Sequence, residues 1–91
     1  MLLDMLKINL GIRSTAYDER LLQLLEASKA RIKEEGVQNL DEENTLDAQL
    51  IIDYAEWLWR RRDTKEGMPR MIRYALNNRV FSEKMQGVTN G

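Results

Sequence analysis

The chain has 91 residues, a net charge of −1, and neither cysteine nor histidine. Without these residues it lacks disulfides, thiolate chemistry, the commonest general base and the commonest transition-metal ligand, so we expect no enzyme activity, metal or cofactor. Its 43% hydrophobic and 32% charged residues are typical of one compact domain and argue against wholesale disorder. The longest apolar stretches are too short to span a membrane, and the absence of cysteine fits a cytosolic protein best.

The first ten residues predict a short helix. Three leucines recur there at spacings of three and four, which places them on one helical face. Gly11 is expected to end the helix. Because Asp4 and Lys7 interrupt the apolar run, we expect this segment to belong to the fold and not to be a signal peptide.

A second, longer helix is predicted to begin near Ala16. Thr15 as N-cap and Asp18 three residues later resemble a capping box. The apolar stripe of this helix consists of Leu21, Leu24, Leu25, Ser28 and Ile32. Gly36 is expected to follow the last helical turn, where glycine is favoured.

An acidic loop is predicted for residues 37–44, because this segment has no clear periodicity. It carries three consecutive carboxylates, and such a run of like charge favours a solvated segment. These residues are Asp41, Glu42 and Glu43. Either Asn44 or Thr45 is expected to cap the helix that comes next.

The third helix, over residues 46–62, is the most apolar segment of the chain. Its apolar side chains exceed one stripe, which indicates a central helix or a second face that contacts another subunit. Trp57 and Trp59 are two positions apart and therefore point in directions about 200° apart. One of them is expected to lie near the surface, where large aromatic residues favour a subunit contact.

The last helix is predicted after a polar turn at residues 63–67, with Pro69 in its first turn. It is expected to end near Phe81, and residues 86–91 are expected to form a flexible tail after a domain that spans residues 1–85. The apolar side chains of this helix are Met68, Met71, Ile72, Ala75, Leu76 and Val80. Elsewhere in the chain and in this helix, the tyrosines are predicted to pack within the fold; they are Tyr17, Tyr54 and Tyr74. Since no segment alternates like a strand, the sequence predicts an all-α bundle of about four helices.

Charge is unevenly distributed along the chain. Residues 1–59 have a net charge of −6 and residues 60–91 a net charge of +5. This asymmetry favours head-to-tail contacts between copies, although the basic part could instead face nucleic acid. The isolated carboxylates, such as Asp53 and Glu56, are interpreted as solvated because no metal or catalytic spacing accompanies them.

A subunit or partner interface is the main candidate site. Guanidinium groups next to large aromatic side chains are enriched at such interfaces and also bind phosphate, whereas the plain alternative is capping of the helix dipole. The candidate interface residues are Trp57, Trp59, Arg60, Arg61, Arg62, Arg70 and Arg73.

The order of these features resembles the head-tail connector, or adaptor, proteins of long-tailed bacteriophages and prophages. The matching segments are a short leading helix that ends in LKINLGI, the acidic and leucine-rich YDERLLQLLEAS, the apolar helix 46–62 with an aromatic and arginine at its end, and the proline-led MPRMI. The resemblance covers nearly the whole chain. It implies a small helical bundle, about a dozen copies of which form a ring under the portal protein.

The same resemblance implies a structural role in the virion and in the host cytoplasm. DNA would pass through the ring without sequence-specific binding, a tail-completion protein would attach below, and the segment from Pro69 onward would face the portal. Asp41, Glu42 and Glu43 are candidates for a channel lining that repels DNA. The alternatives are a helical DNA-binding regulator that reads DNA with its last helix, or a small adaptor resembling an antitoxin that binds one specific protein.

Overall fold

The computed structural model describes residues 2–61 and 67–89, with side chains up to Met85. Within these ranges the chain forms four α-helices and no strand, so the predicted all-α bundle is confirmed. The helices are α1 (Leu2–Leu10), α2 (Asp18–Glu34), α3 (Thr45–Arg60) and α4 (Arg70–Thr89). Residue Arg62 and most of the predicted polar turn lie outside the described residues.

The beginnings of α2 and α3 test the predicted caps. The prediction of a capping box at Thr15 and Asp18 is wrong, because Tyr17 is the N-cap residue of α2 and no side chain makes a capping hydrogen bond there. The carboxylate of Asp18 instead pairs with the Lys7 ammonium group at 2.7 Å, which joins α1 to α2. At α3 the prediction of Asn44 is confirmed, since its side-chain oxygen accepts hydrogen bonds from two backbone N–H groups of the first turn.

The core forms around α3, which packs against the other three helices. The predicted stripe of α2 is buried throughout, including Ser28, whose hydroxyl group donates to the Leu24 carbonyl at 2.7 Å. Gly36 follows the end of α2 with a φ of +122°, a conformation that strongly favours glycine. This turn directs the chain toward Val37, which is fully buried.

The last helix differs from its prediction in length and orientation. It runs to Thr89, past its expected end near Phe81, and it overlaps the first part of the predicted tail. Residues 90 and 91 lie outside the described part of the chain. Ile72 and Leu76 are buried as expected, but Met71 and Ala75, predicted to lie on the same apolar face, are exposed.

A mostly buried ion pair attaches α4 to α3. The Arg79 guanidinium donates to the two carboxylate oxygens of Asp47 at 2.7 and 3.3 Å, a bidentate geometry. The side chains of Asp47 and Arg79 are 5% and 17% exposed, so the pair is largely removed from water. The hydrogen bonds to Asp47 raise the pKa of Arg79, although burial opposes them.

The acidic loop closes over this ion pair through further hydrogen bonds. Arg79 also donates to the Asn39 carbonyl at 2.9 Å, and the Asp41 N–H group donates to Asp47 at 2.9 Å. Glu83, one turn after Arg79, accepts from the backbone and side-chain N–H groups of Asn39 at 2.7 and 2.8 Å. The loop, the start of α3 and the middle of α4 therefore form one polar network around Asp47 and Arg79.

Arg79→Met removes the cation and leaves the Asp47 carboxylate buried. We expect a loss of about 2–4 kcal/mol in the free energy of unfolding, because an unpaired buried charge is costly. Urea denaturation followed by circular dichroism measures this loss. The control is Arg73→Met on the same helix, which removes a half-exposed pair with Glu35 and should cost less than about 1 kcal/mol. Equal losses in the two variants would contradict a special role for Arg79.

Acid should weaken the attachment of the loop to α4. The Asn39 hydrogen bonds, backbone first, together with the charge of Arg79 hold the pKa of Glu83 below its ordinary value. A carboxylate with a lower pKa in the folded state stabilises the fold above its unfolded-state pKa and loses this contribution as pH falls through the folded-state value. Glu83→Gln should therefore flatten the fall in stability between about pH 5 and about pH 3, measured by thermal denaturation. The exposed Glu34→Gln serves as the control, and an unchanged pH profile in Glu83→Gln would refute the assignment.

Candidate functional site

Trp57 lies half-buried against the core, on the side of α3 that also presents Tyr54. The two rings meet edge to face with centroids 5.4 Å apart, and the Arg61 guanidinium lies over the Trp57 ring at 4.9 Å. The indole N–H group is buried and makes no hydrogen bond within the described residues. Most of the surface of this ring is thus already engaged within the chain.

Trp59 points to another side of α3, as the two-residue spacing predicts. Its ring meets Tyr17 edge to face with centroids 5.5 Å apart, so it holds the turn before α2 against α3. Like Trp57, it is half-buried and packs against the core. Tyr17, predicted to pack, remains 50% exposed despite this contact. An interface role for either tryptophan therefore stays a prediction that has to account for these contacts within the chain.

The predicted interface arginines have separate surroundings. Arg60 is exposed at the end of α3 and pairs with Glu56 at 3.4 Å. On α4, Arg70 is exposed, while Arg73 pairs with Glu35 at 3.2 Å and ties α4 to the end of α2. Arg61 covers Trp57 as described, and Arg62 lies outside the described residues. Among the described members of this set, Arg60, Arg61 and Arg70 are exposed and can offer their charge to a partner.

The acidic loop presents its carboxylates to solvent. Asp41, Glu42 and Glu43 are all exposed. Asp41 accepts from the Glu43 N–H group at 3.0 Å, which is a local turn, and Glu42 pairs with Lys29 of α2 at 3.3 Å. Burial lowers the pKa of Lys29, but its hydrogen bonds to Glu26 and Glu42 raise it overall. The loop is therefore anchored while its acidic side chains remain at the surface.

The outer face of α4, defined here by Met71, Tyr74 and Phe81, is the candidate surface that the sequence reading missed. The side chains are 78%, 54% and 64% exposed, respectively. Their spacings of three and seven place them on one side of the helix, about 15 Å long. This side lies opposite Ile72 and Leu76, which face the core. Met71 and Tyr74 were predicted to pack inward, so the structure corrects both assignments.

A groove of about 460 Å³ runs between α3 and α4, next to this outer face. Leu46 and Leu50 line it from α3, and Ala75, Asn78 and Ser82 line it from α4. Asp47 and Arg79 also reach the groove, but they bind each other. Asn78 is shared by the groove and the outer face, because it lies between Tyr74 and Phe81 on the helix surface. The two features form one continuous surface.

In residues 2–61 and 67–89, no group of three or more acidic side chains is placed to hold a metal ion. None of the helices in this part of the chain is long and apolar enough to cross a membrane. Comparison with protein-family models, with curated proteins and with solved structures finds no match to this chain.

Alanine substitutions test whether Trp59 contributes to folding, with the exposed Phe81 as the comparison. Trp59→Ala should lower the free energy of unfolding by about 2–3 kcal/mol, less than for a fully buried tryptophan, because part of the Trp59 side chain is exposed. Phe81→Ala, the matched control, should change it by less than about 0.5 kcal/mol. Urea denaturation at low protein concentration measures both. A negligible effect of Trp59→Ala would show that Trp59 does not contribute to folding and would favour its predicted interface role.

Proposed function

We propose that the chain is a structural subunit of a bacteriophage or prophage head-tail connector. In this proposal about a dozen copies form a ring beneath the portal protein, extend the channel for DNA and offer a platform for a tail-completion protein. The protein then acts in the host cytoplasm during assembly and later in the virion. The observation that carries the proposal is the outer face of α4, an apolar surface that the fold itself leaves uncovered.

The polar groups next to this surface favour assembly over chemistry. Asp47 and Arg79 line the groove, but each satisfies the other's charge. A catalytic or ligand-binding group directs free hydrogen-bonding capacity toward a substrate. The Nη1 atom of Arg79 makes no hydrogen bond within the described residues, but it is buried 3.8 Å from Glu83 and is therefore not exposed to a ligand in the groove. What the surface offers a partner is mainly Met71, Tyr74 and Phe81, and residues of this type contribute strongly to protein contacts.

The acidic loop supports passage of DNA without binding. Its exposed carboxylates repel phosphate, and a ring that carries this loop inward would present a surface to which DNA does not adhere. This placement of Asp41, Glu42 and Glu43 follows from the proposed ring. A ring structure with the loop on its outer rim would reject it.

A DNA-binding regulator is less well supported. A recognition helix reads base edges with several polar side chains, whereas the outer face of α4 is centred on the apolar or aromatic side chains Met71, Tyr74 and Phe81 and carries Asn78 beside them. A protein-binding adaptor remains the alternative that the same apolar face would also serve. The adaptor and the connector differ in stoichiometry, because an adaptor of this kind forms a dimer and not a ring.

Solution mass across a concentration series tests the connector proposal. Light scattering coupled to size exclusion should show assemblies larger than a dimer as concentration rises, because a head-to-tail contact that closes gives a ring. A duplex DNA titration on the same sample should show no binding. A fixed dimer at every concentration would favour the adaptor, and DNA affinity that falls steeply with salt would favour the regulator.

A further inference from the structure

The outer face of α4 has a basic flank. Arg70 and Lys84, both exposed, are two helical repeats of seven residues apart and therefore lie along one edge of this face. In an antiparallel pair of α4 helices from two copies, Arg70 of one copy would lie near Lys84 of the other. Like charges at such flanking positions are unfavourable, so two α4 helices are poor partners for each other.

An acidic apolar surface lies on α1 and α2. On α1, Asp4 and Ile8 are four residues apart and both exposed, Ile8 by 77%. On α2, Glu19, Leu22 and Glu26 share one exposed side. The Lys7–Asp18 ion pair holds the two helices side by side. We name these five residues the acidic face of α1 and α2. This face combines apolar side chains with carboxylates, whereas the outer face of α4 combines apolar side chains with cations.

The helix α1, which carries part of the acidic face, and α4 contact different sides of α3. On α3, Glu56 contacts Asn9 of α1 at 3.4 Å, and Asp47 contacts Arg79 of α4 at 2.7 Å. Glu56 and Asp47 are nine residues apart, a rotation equivalent to about 180° around the helix. Thus α1 and α4 lie on opposite sides of α3. Two different, complementary faces on one subunit produce a head-to-tail contact that can repeat.

We propose that the outer face of α4 docks on the acidic face of α1 and α2 of a second copy of this chain, a contact that rests on the self-assembly proposed above. Met71, Tyr74 and Phe81 bury their apolar surface against Ile8 and Leu22 of that copy. Arg70 and Lys84 lie near its carboxylates Asp4 and Glu19, whereas Glu26 already pairs with Lys29 of its own chain at 3.0 Å. The apolar contacts supply most of the affinity, and the charges fix the orientation.

Site-specific cross-linking tests the contact, since the cysteine-free chain gives each single-cysteine variant one thiol. Asn78→Cys places the thiol within the outer face of α4, and Met5→Cys places it beside Ile8, while the defining residues of both faces are kept. Arg31→Cys is the control, because Arg31 is exposed half a rotation around α2 from Leu22. One partner in each mixture carries an isotopic mass label, and the mixed chains are oxidised at a concentration where the wild-type chain is associated.

We expect the disulfide between Asn78→Cys and Met5→Cys chains to form in several-fold excess over that between Asn78→Cys and Arg31→Cys chains. Phe81→Ser, which keeps the fold because Phe81 is exposed, should weaken self-association by at least about tenfold. Equal cross-linking yields, or a predominant Asn78→Cys homodimer, would overturn this contact while leaving self-assembly intact. A wild-type chain that stays monomeric at millimolar concentration would contradict both this contact and the proposed ring.

Discussion

The Asp47–Arg79 ion pair is the interaction on which the arrangement of the helices depends. Few apolar side chains of α4 reach the core, chiefly Ile72 and Leu76. Such a small apolar contact leaves the rotation of the helix about its own axis weakly fixed. A bidentate pair with fixed geometry removes that freedom, because Arg79 reaches both oxygens of Asp47 only in one orientation. The direction of the outer face of α4 follows from this orientation.

The acidic loop makes the same pair sensitive to its surroundings. Asn39 links Arg79 and Glu83 to the loop, and the Asp41 N–H group binds Asp47 directly. A loop held by these bonds shields the pair from water, which strengthens its electrostatic attraction. The loop is thus a structural element as well as a charged surface. A contact that displaced the acidic loop would also loosen α4. The loop and the outer face of α4 are therefore coupled in the proposed ring subunit.

Periodicity in the sequence predicts the helices and much of the core, because α2 and α3 each bury a face that recurs every three to four residues. It fails on α4, where two apolar stripes run on opposite sides and the pattern does not show which one faces inward. Periodicity therefore predicts Met71 in the core, although it is exposed. The capping box failed for another reason: Asp18 pairs with Lys7 across two helices. Asp47 and Arg79, 32 positions apart, could not be recognised as a pair without the fold.

The charge asymmetry along the chain is partly neutralised by folding. This limits the contribution of charge to the affinity between copies. Two of the arginines of α4 are engaged within the subunit: Arg79 binds Asp47, and Arg73 binds Glu35. The cations left at the outer face of α4 are the exposed Arg70 and Lys84. Contacts between a few exposed charges are weak and are screened by salt. Assembly through this face should therefore derive its strength from the apolar side chains, while the remaining charges select which face they meet.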